Sequence, residues 1–426
     1  MRGEAPGTPG SVTRRQFIQR LGATALGAGA AGCTPKEAPP LGRQEEMFVG
    51  EAFPFAEPAE VDVDAGRVRK AVRFIDRKLE QGTFPGAALV ATRHGRTFLE
   101  RYWGTYCSPE RRENPYGGRV VNMLYSFSKA LSATVVVMAH QDGLVDYGEP
   151  VSTYIPEFTG GGKDAITIRH LLTHSAGIPV APFACVTGED RWNAFLEDLC
   201  VAEVAWRPGS KTSYHAVTGM FIAAEAVRRV SGMKSWQAIC RERLFRPLGA
   251  DSFTFDVPPT STRVALTPQP DELPCPLDVD HWPFLGHPAG GCFGKVTDIM
   301  KLLHLHLAQG AWQGRQLIAE DAWREMHRLQ YQEQIDAARR NGYRPVHEYW
   351  ALGWLLRGAT AEHFFGFGDC MSERAFGHAG IDTVMTVADP ATGLAVAFLT
   401  TDSPKPEKDT TRLRCTAANL IAKALR

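Results

Sequence analysis

Ser126-Phe127-Ser128-Lys129 places a hydroxyl and an amine three residues apart at the start of a strongly apolar segment. Residues at positions i and i+3 share one face of a helix, so the Lys129 amine is predicted to lie against the Ser126 oxygen. Residues 130–138 carry few polar side chains, which is typical of a helix buried on all sides. Because burial disfavours a charged amine and lowers its pKa, the pattern predicts a serine nucleophile with lysine as its base.

A second copy of the same four-residue pattern limits what the pattern proves by itself. Chance supplies about one such match in a chain of this length, and Ser231-Gly232-Met233-Lys234 is that second match. Gly232 predicts the end of a helix rather than a catalytic turn. The identification of Ser126 therefore depends on residues elsewhere in the chain.

Composition restricts the classes of partner and cofactor. The chain has 426 residues, with 47 Lys and Arg against 47 Asp and Glu, so no global field favours nucleic acid. The nine cysteines form no CxxC pair and no zinc-ribbon spacing, which argues against a structural metal site. We expect a globular protein that acts on a small molecule and needs no metal or other cofactor. Its oligomeric state is not predicted.

The first 33 residues predict export. Thr13-Arg14-Arg15-Gln16-Phe17-Ile18, followed by an uncharged Ala/Gly-rich run, resembles a twin-arginine signal. The alternative interpretation is a disordered basic tail. Ala30-Ala31-Gly32-Cys33 resembles a lipobox, although Ala30 stands where a larger aliphatic residue is usual. We expect a periplasmic or cell-surface protein, anchored through a lipid on Cys33 or released, with residues 34–60 as the linker.

Hydrophobic periodicity predicts an α+β domain over residues 61–426. A helix follows Asp64, two strands flank the turn at His94-Gly95-Arg96, and near the other end two more strands flank residues 389–393 before a last helix. The middle, about residues 124–287, is mostly helical by periodicity. We therefore predict an antiparallel sheet flanked by helices and built from both chain ends, with a mostly helical subdomain inserted between them.

Two further segments carry groups that suit catalysis. Tyr214 precedes an amphipathic helix, and its phenol is able to relay a proton if nearby cations lower its pKa. Gly377-His378-Ala379-Gly380 comes immediately before the strand predicted at Thr383, where glycines allow close backbone approach and an edge for substrate. Taken singly, the tyrosine is more often a packing residue and the histidine a hydrogen-bonded structural one.

Together the three segments resemble the serine β-lactamase and penicillin-binding-protein superfamily, in its class C β-lactamase-like branch of esterases and peptidases. The branch has S-x-x-K, then Y-x-N or a variant, then K-T-G or H-x-G on a strand. Here these read Ser126 to Lys129, Tyr214-His215-Ala216 and His378-Ala379-Gly380. Flanking stretches are also similar: Pro85-Gly86-Ala87-Ala88, His170-Leu171-Leu172-Thr173-His174-Ser175-Ala176-Gly177, Pro288-Ala289-Gly290-Gly291 and Leu352-Gly353-Trp354. The resemblance covers about Asp64 to Thr401.

The resemblance implies a role for each of these positions. Ser126 would attack a carbonyl while Lys129 and Tyr214 move its proton, and water would clear the acyl-enzyme. The oxyanion would lie between the backbone N–H groups of Ser126 and Ile381. His378, Gly380 and Ala216 would contact the substrate.

Two departures from the pattern favour an ester over penicillin. Ala216 replaces the Asn that holds the amide carbonyl in β-lactam-directed members, and His378 replaces a permanently charged lysine. An ester or small amide with an apolar acyl part then fits better. Aromatic residues in segments able to line such a pocket, or to serve only in packing, are Trp206, Phe183, Tyr349 and Trp350.

Three functions stay open at the level of sequence. The first is a serine esterase or amidase. The second is a D-amino-acid-specific peptidase, carboxypeptidase or β-lactamase acting on cell-wall-like substrates with the same nucleophile. The third is a catalytically inactive binding module, which the presence of all three reactive residues disfavours.

Overall fold

The two ends of the chain meet in one antiparallel sheet, which confirms the predicted α+β class. The computed structural model describes residues 52–109, 112–179, 181, 185–256, 258, 263–265, 285–359, 367–381, 383–402 and 410–426. The seven-stranded sheet has the order β3-β2-β1-β12-β11-β10-β9, so strands from both termini are neighbours at its centre. The predicted export signal, Cys33 and most of the predicted linker lie outside the described residues.

The strands are β1 (Gly86–Arg93), β2 (Arg96–Cys107), β3 (Glu113–Pro115), β4 (Val121–Met123), β5 (Val264–Ala265), β6 (Phe293–Gly294), β7 (Ala311–Trp312), β8 (Arg315–Gln316), β9 (Leu355–Leu356), β10 (Phe376–Gly380), β11 (Val384–Asp389) and β12 (Leu394–Thr400). The α-helices are α1 (Ala65–Glu80), α2 (Ser128–Gln141), α3 (Ile168–Leu172), α4 (Glu189–Val201), α5 (Thr218–Ser231), α6 (Trp236–Cys240), α7 (Arg246–Leu248), α8 (Val296–Leu307), α9 (Glu320–Met326), α10 (Gln332–Arg340) and α11 (Thr410–Ala422). Between 128 and 248 the chain forms helices α2 to α7, in agreement with the predicted helical middle.

Local chemistry explains where these elements begin and end. The Asp64 side chain accepts a hydrogen bond from Arg67 N and caps α1, as its position in the sequence predicts. His94 and Gly95 both have positive φ and form the tight turn between β1 and β2. Gly232 ends α5 in the left-handed conformation, so the second serine-lysine pattern is a helix end.

Helices cover the sheet and bury α2. Helices α1 and α11 pack against each other, and α8 packs against β11 and β12. Every side chain of α2 from Ser128 to Ala139 is buried, which confirms the all-round burial predicted from its apolar sequence. No helix among the described residues is both long and apolar enough to cross a membrane.

The folded domain begins before the predicted boundary at residue 61. Phe53 and Ala56 are buried, and Ala56 N donates to Thr97 O at 2.8 Å, beside the start of β2. A short 3₁₀ helix, Pro58–Val61, follows. Residues 53–60 therefore pack on the domain instead of serving as a free tether, because their apolar side chains bury surface against the sheet.

Two buried histidines support α2 from behind the site. His306 Nε2 lies 3.0 Å from Thr134 Oγ1, whose hydroxyl donates to Ala130 O at 2.8 Å. His306 Nδ1 lies 3.0 Å from His327 Nε2. Burial lowers the pKa of His306 to about 3 and that of His327 well below its usual value, so both rings are neutral at pH 7. His304 instead contacts Thr92, with its Nε2 atom 2.7 Å from Thr92 Oγ1.

This neutral pair should make stability fall in mild acid. Because burial depresses the folded-state pKa values of His306 and His327, their contribution is complete above pH 6.5 and is lost progressively as pH falls below it, toward about 3 for His306. Each imidazole should lower the free energy of unfolding by up to about 1.4 kcal/mol per pH unit below pH 6.5.

Chemical denaturation at pH 7 and pH 5 measures this slope. His327→Phe should reduce the slope by about one proton, since its ring fills the same aromatic contacts without titrating. Equal unfolding free energies for the unmodified protein at the two pH values would contradict the prediction.

Candidate active site

Ser126 lies in a tight turn just ahead of α2. Tyr125–Phe127 form a 3₁₀ helix, and α2 begins at Ser128 rather than at the serine. Tyr125 has φ 47°, a left-handed conformation that costs energy for a tyrosine and is typical of functional turns. Leu124 N donates to Cys292 O at 2.8 Å and fixes the entry to this turn. The turn presents the Ser126 hydroxyl at the N-terminal end of a buried helix.

The Lys129 amine is buried against the Ser126 oxygen, at the position predicted by the spacing. Its Nζ atom lies 3.2 Å from Ser126 Oγ and 2.8 Å from the Ala289 carbonyl oxygen. The side chain has no exposed surface, and burial holds the amine's pKa well below 10.5. No carboxylate in the described part of the chain is paired with it. A neutral amine able to accept the serine proton is the favoured state.

Tyr214, in the segment before α5, also contacts the Ser126 hydroxyl. Its phenol hydrogen-bonds Ser126, and Lys129 Nζ lies 4.9 Å from its ring centroid. Burial raises the phenol's pKa above 10.0, so the condition that neighbouring cations lower it is not met. The hydrogen bond to Ser126 lowers the pKa, but the loss of solvent around the phenol is the larger effect. Tyr214 is therefore a proton donor in the resting site.

His378 lies within strand β10, as the resemblance to H-x-G on a strand implies, and this strand precedes the one predicted at Thr383. Residues 376–380 pair with β11 from Phe376↔Ala388 to Gly380↔Val384. The His378 Nδ1–H donates to Ala379 O at 3.0 Å, which leaves Nε2 as a buried acceptor with no partner among the described residues. Burial and then Lys129 lower its pKa to about 3. The imidazole is neutral and cannot act as a fixed cation.

Gly380 brings strand β10 against the serine turn. A Cβ atom built on Gly380 would lie 2.4 Å from the Leu124 carbonyl oxygen and 3.1 Å from Tyr125 Cβ. This bears out the close backbone approach predicted from the flanking glycines. The approach places the Gly380–Ile381 peptide beside the turn that carries Ser126. Ile381, the predicted second oxyanion-hole residue, follows Gly380 directly in the chain.

Two further buried histidines surround the lysine, and their role was missed from the sequence. His174 and His287 both lie close enough to Lys129 to share its electrostatic field, and burial is the main cause of their lowered pKa values. His287 Nδ1 accepts from Ala289 N at 3.1 Å, so it orders the loop whose carbonyl holds the lysine. Both residues stand in or beside the family-like flanking stretches, which was the available signal.

The remaining predicted lining residues separate into two groups. Trp350 reaches the site, since its ring stacks on Tyr214 at 5.9 Å and lies 4.4 Å from His174. Ala216 is half-buried and packs on the core. Trp206 contacts His215 and Lys211, and Tyr349 is buried beneath Arg339. Phe183 lies outside the described residues.

The pKa directions assign acid and base roles. Burial lowers the pKa of Lys129, which favours the neutral amine that accepts a proton, and raises the pKa of Tyr214, which favours the protonated phenol that donates one. Environments that push two titratable groups apart in this way separate the base from the acid around one nucleophile. The arrangement can deprotonate Ser126 near neutral pH and protonate a leaving group.

Comparison with known proteins agrees with this geometry. The family model described as Beta-lactamase matches residues 71–418. LipL, an esterase/beta-lactamase of Mycobacterium tuberculosis, is 32% identical over 162 residues, which are 37% of this chain and 37% of that protein. A putative D-alanyl-D-alanine carboxypeptidase of Salmonella agona is 22% identical over 384 residues, or 81% of this chain and 84% of that protein. The crystal structure of a family VIII carboxylesterase is similar in fold, with TM-score 0.65 and 24% identity, covering 85% of this chain and 99% of that chain.

Gly380→Ala should impair catalysis more than it impairs folding. The new Cβ must displace β10 from the serine turn, since it would lie 2.4 Å from a backbone oxygen. A misplacement of about 1 Å costs roughly 100-fold in rate. We expect kcat to fall by about that factor in an ester hydrolysis assay.

Gly117→Ala is the matched control, because a Cβ there meets nothing within 4 Å. It should retain the activity of the unmodified protein. Full activity in Gly380→Ala would show that the close approach at this position is not required.

Proposed function

The chain belongs to the beta-lactamase family, whose model matches residues 71–418, and we propose that it hydrolyses carboxylic esters through an acyl-enzyme on Ser126. The observation that carries the proposal is the buried Lys129 amine 3.2 Å from the Ser126 oxygen, without a paired carboxylate among the described residues. The family includes esterases, and relatives with peptidase names also match this chain. The proposed preference for esters goes beyond what membership of the family implies.

The reaction follows from the protonation states. The Lys129 amine takes the Ser126 proton as Oγ bonds to the ester carbonyl carbon, and the carbonyl oxygen becomes an oxyanion. The backbone N–H groups of Ser126 and Ile381 stabilise that charge. When the carbon–oxygen bond to the alcohol breaks, the Lys129 ammonium protonates the leaving oxygen, either directly or through Tyr214, whose phenol gives its proton to the leaving oxygen and takes the Lys129 proton in exchange. The amine, now neutral again, accepts a proton from a water molecule as that water attacks the acyl carbonyl. When the bond to Ser126 Oγ breaks, this proton passes to Oγ, which releases the acid and free Ser126.

Uncharged substrates are favoured by the groups that face the serine. His378 is neutral and presents an acceptor nitrogen where penicillin-directed members carry lysine. An acceptor repels a carboxylate oxygen, which has only lone pairs to offer. Trp350 and Tyr214 add an aromatic wall. We therefore propose esters with apolar, uncharged acyl groups as the substrate class.

A cell-wall peptidase is the second candidate, supported by the match to the Salmonella protein over 81% of this chain. It uses the same nucleophile and differs only in the pocket. The export of the protein and its anchoring through Cys33 also remain proposals, because those residues lie outside the described part of the chain.

A serine probe and two substrates test the proposal. A fluorophosphonate should add its mass to Ser126, and a short-chain p-nitrophenyl ester should turn over faster than a D-alanyl-D-alanine peptide. Ser126→Ala should abolish labelling and lower ester turnover by about 10⁴-fold or more. Tyr214→Phe should lower it by about 100-fold.

Ser231→Ala is the matched control, because it removes the serine of the second, non-catalytic pattern at the end of α5. It should leave labelling and turnover unchanged. Absence of a Ser126 adduct would favour the binding module, and faster peptide turnover would favour the peptidase.

His378→Lys should shift specificity toward acidic substrates. A lysine in this position supplies the cation that the neutral imidazole lacks, and a charge-assisted hydrogen bond is worth about 1.5 to 3 kcal/mol. The kcat/KM ratio of a carboxylate-bearing ester to its uncharged analogue should rise about tenfold or more. His378→Gln, which stays neutral, is the control, and an equal ratio in the lysine and glutamine variants would contradict the assignment.

A further inference from the structure

A buried arginine from the last helix reaches the strand end beside the site. Arg414 lies on α11, is 8% exposed, and donates a hydrogen bond from Nη2 to the Gly380 carbonyl oxygen at 2.8 Å. The resemblance that identified Ser126, Lys129 and Tyr214 gave this residue no role. It is 34 residues from its partner along the chain. A buried guanidinium is costly to desolvate, and one of its hydrogen bonds goes to this backbone carbonyl beside the site.

The carbonyl that Arg414 holds belongs to the peptide that supplies the oxyanion-hole donor. Gly380 C=O and Ile381 N–H are parts of one planar trans peptide, in which the two groups point in opposite directions. A hydrogen bond that fixes the oxygen therefore fixes the direction of the Ile381 N–H as well. Gly380 is the last residue of β10 and pairs with Val384, the first residue of β11. The Arg414 hydrogen bond therefore acts on the peptide at the very end of the strand.

The same residue also lies beside the nucleophile's turn. A Cβ built on Gly380 would meet Leu124 and Tyr125, immediately before Ser126. Gly380 is thus in contact with both Arg414 and the serine turn. A cation on the carbonyl oxygen also polarises the amide, which makes its N–H a stronger donor to developing negative charge.

We propose that Arg414 is a positioning residue that orients and polarises the Gly380–Ile381 peptide for the oxyanion of the tetrahedral intermediate. This inference depends on the proposed acyl-enzyme mechanism and adds a third element to it, the C-terminal helix. It gives α11 a part in catalysis in addition to its packing on α1. Arg414 itself does not touch the substrate in this account.

Two variants of Arg414 and one control test the inference. Arg414→Met removes the charge and all donors while keeping the length of the side chain, and Arg414→Lys keeps the charge and a donor. Arg93→Met is the matched control, because Arg93 Nη1 also holds backbone carbonyls, those of Val61 and Asp62, at 2.8 and 2.7 Å. Arg93 pairs with Leu394 at the end of the sheet away from Gly380, about 16 Å along the strand direction.

Two measurements, kcat and the carbonyl stretch of the acyl-enzyme, respond to the oxyanion hole and not to the stability of the fold. Loss of one oxyanion donor costs about 10²- to 10³-fold in kcat. Misalignment in Arg414→Met should lower kcat by about 10- to 100-fold with KM little changed. The infrared carbonyl stretch of a slowly deacylating acyl-enzyme should move to higher frequency, because its hydrogen bonds are weaker. Arg414→Lys should recover most of both effects, and Arg93→Met should show neither.

The outcomes distinguish this inference from the proposed function. If the unmodified protein forms no Ser126 adduct, the proposed function fails first. If it does, an unchanged kcat and carbonyl frequency in Arg414→Met overturn the positioning role. A rise in KM confined to carboxylate-bearing esters would also overturn it, since Arg414 would then bind substrate directly. If Arg414→Met does not fold, the same two measurements on Arg414→Lys decide. The proposal is contradicted if the carbonyl frequency of Arg414→Lys is unchanged and its kcat falls only in proportion to the fraction of folded protein.

Discussion

The exclusion of water from the Lys129 amine is the constraint on which the rest of this structure depends. A lysine in water is protonated at neutral pH and cannot take a proton from serine. Here the helix that carries it is buried from Ser128 to Ala139, and among the described residues the amine hydrogen-bonds Ser126 Oγ and Ala289 O. Burial therefore makes the lysine able to act as the base. The helix that carries it is buried in a domain whose central sheet contains strands from both ends of the chain.

The side chains around Lys129 are themselves neutral, so none of them stabilises the charged form of its amine. His174, His287 and His378 are all uncharged at pH 7 through burial, and Tyr214 retains its proton. A carboxylate among them would have stabilised the ammonium form and removed the base. The same neutrality disfavours anionic substrates, so one electrostatic property accounts for both the activation of Ser126 and the proposed substrate class. The neutral pair His306 and His327 extends this pattern to the rear face of α2.

Much of this arrangement is readable from the sequence, and the failures have physical causes. The spacing of Ser126 and Lys129, the apolar run after them and the glycines beside His378 each act locally, so short patterns predicted them. The raised pKa of Tyr214 and the contact of His287 with the loop that holds Lys129 depend on what packs around these residues, which no local pattern contains. The contact between Arg414 and Gly380 joins segments 34 residues apart, and the loop of Ala289 meets Lys129 across 160 residues. The packing of residues 53–60 on the sheet was missed because their Pro- and Glu-rich composition resembles a linker.

The most direct test of this account is the titration of the Lys129 amine itself. Protein labelled with ¹³C and ¹⁵N at the lysine side-chain ends, with Lys129→Met to assign the signal, reports the protonation of that amine by NMR as pH is varied. The account predicts a pKa well below 10.5, with the amine largely neutral in the pH range where the ester is hydrolysed. An amine that stays protonated up to the ordinary lysine value would contradict it, because Ser126 would then have no base.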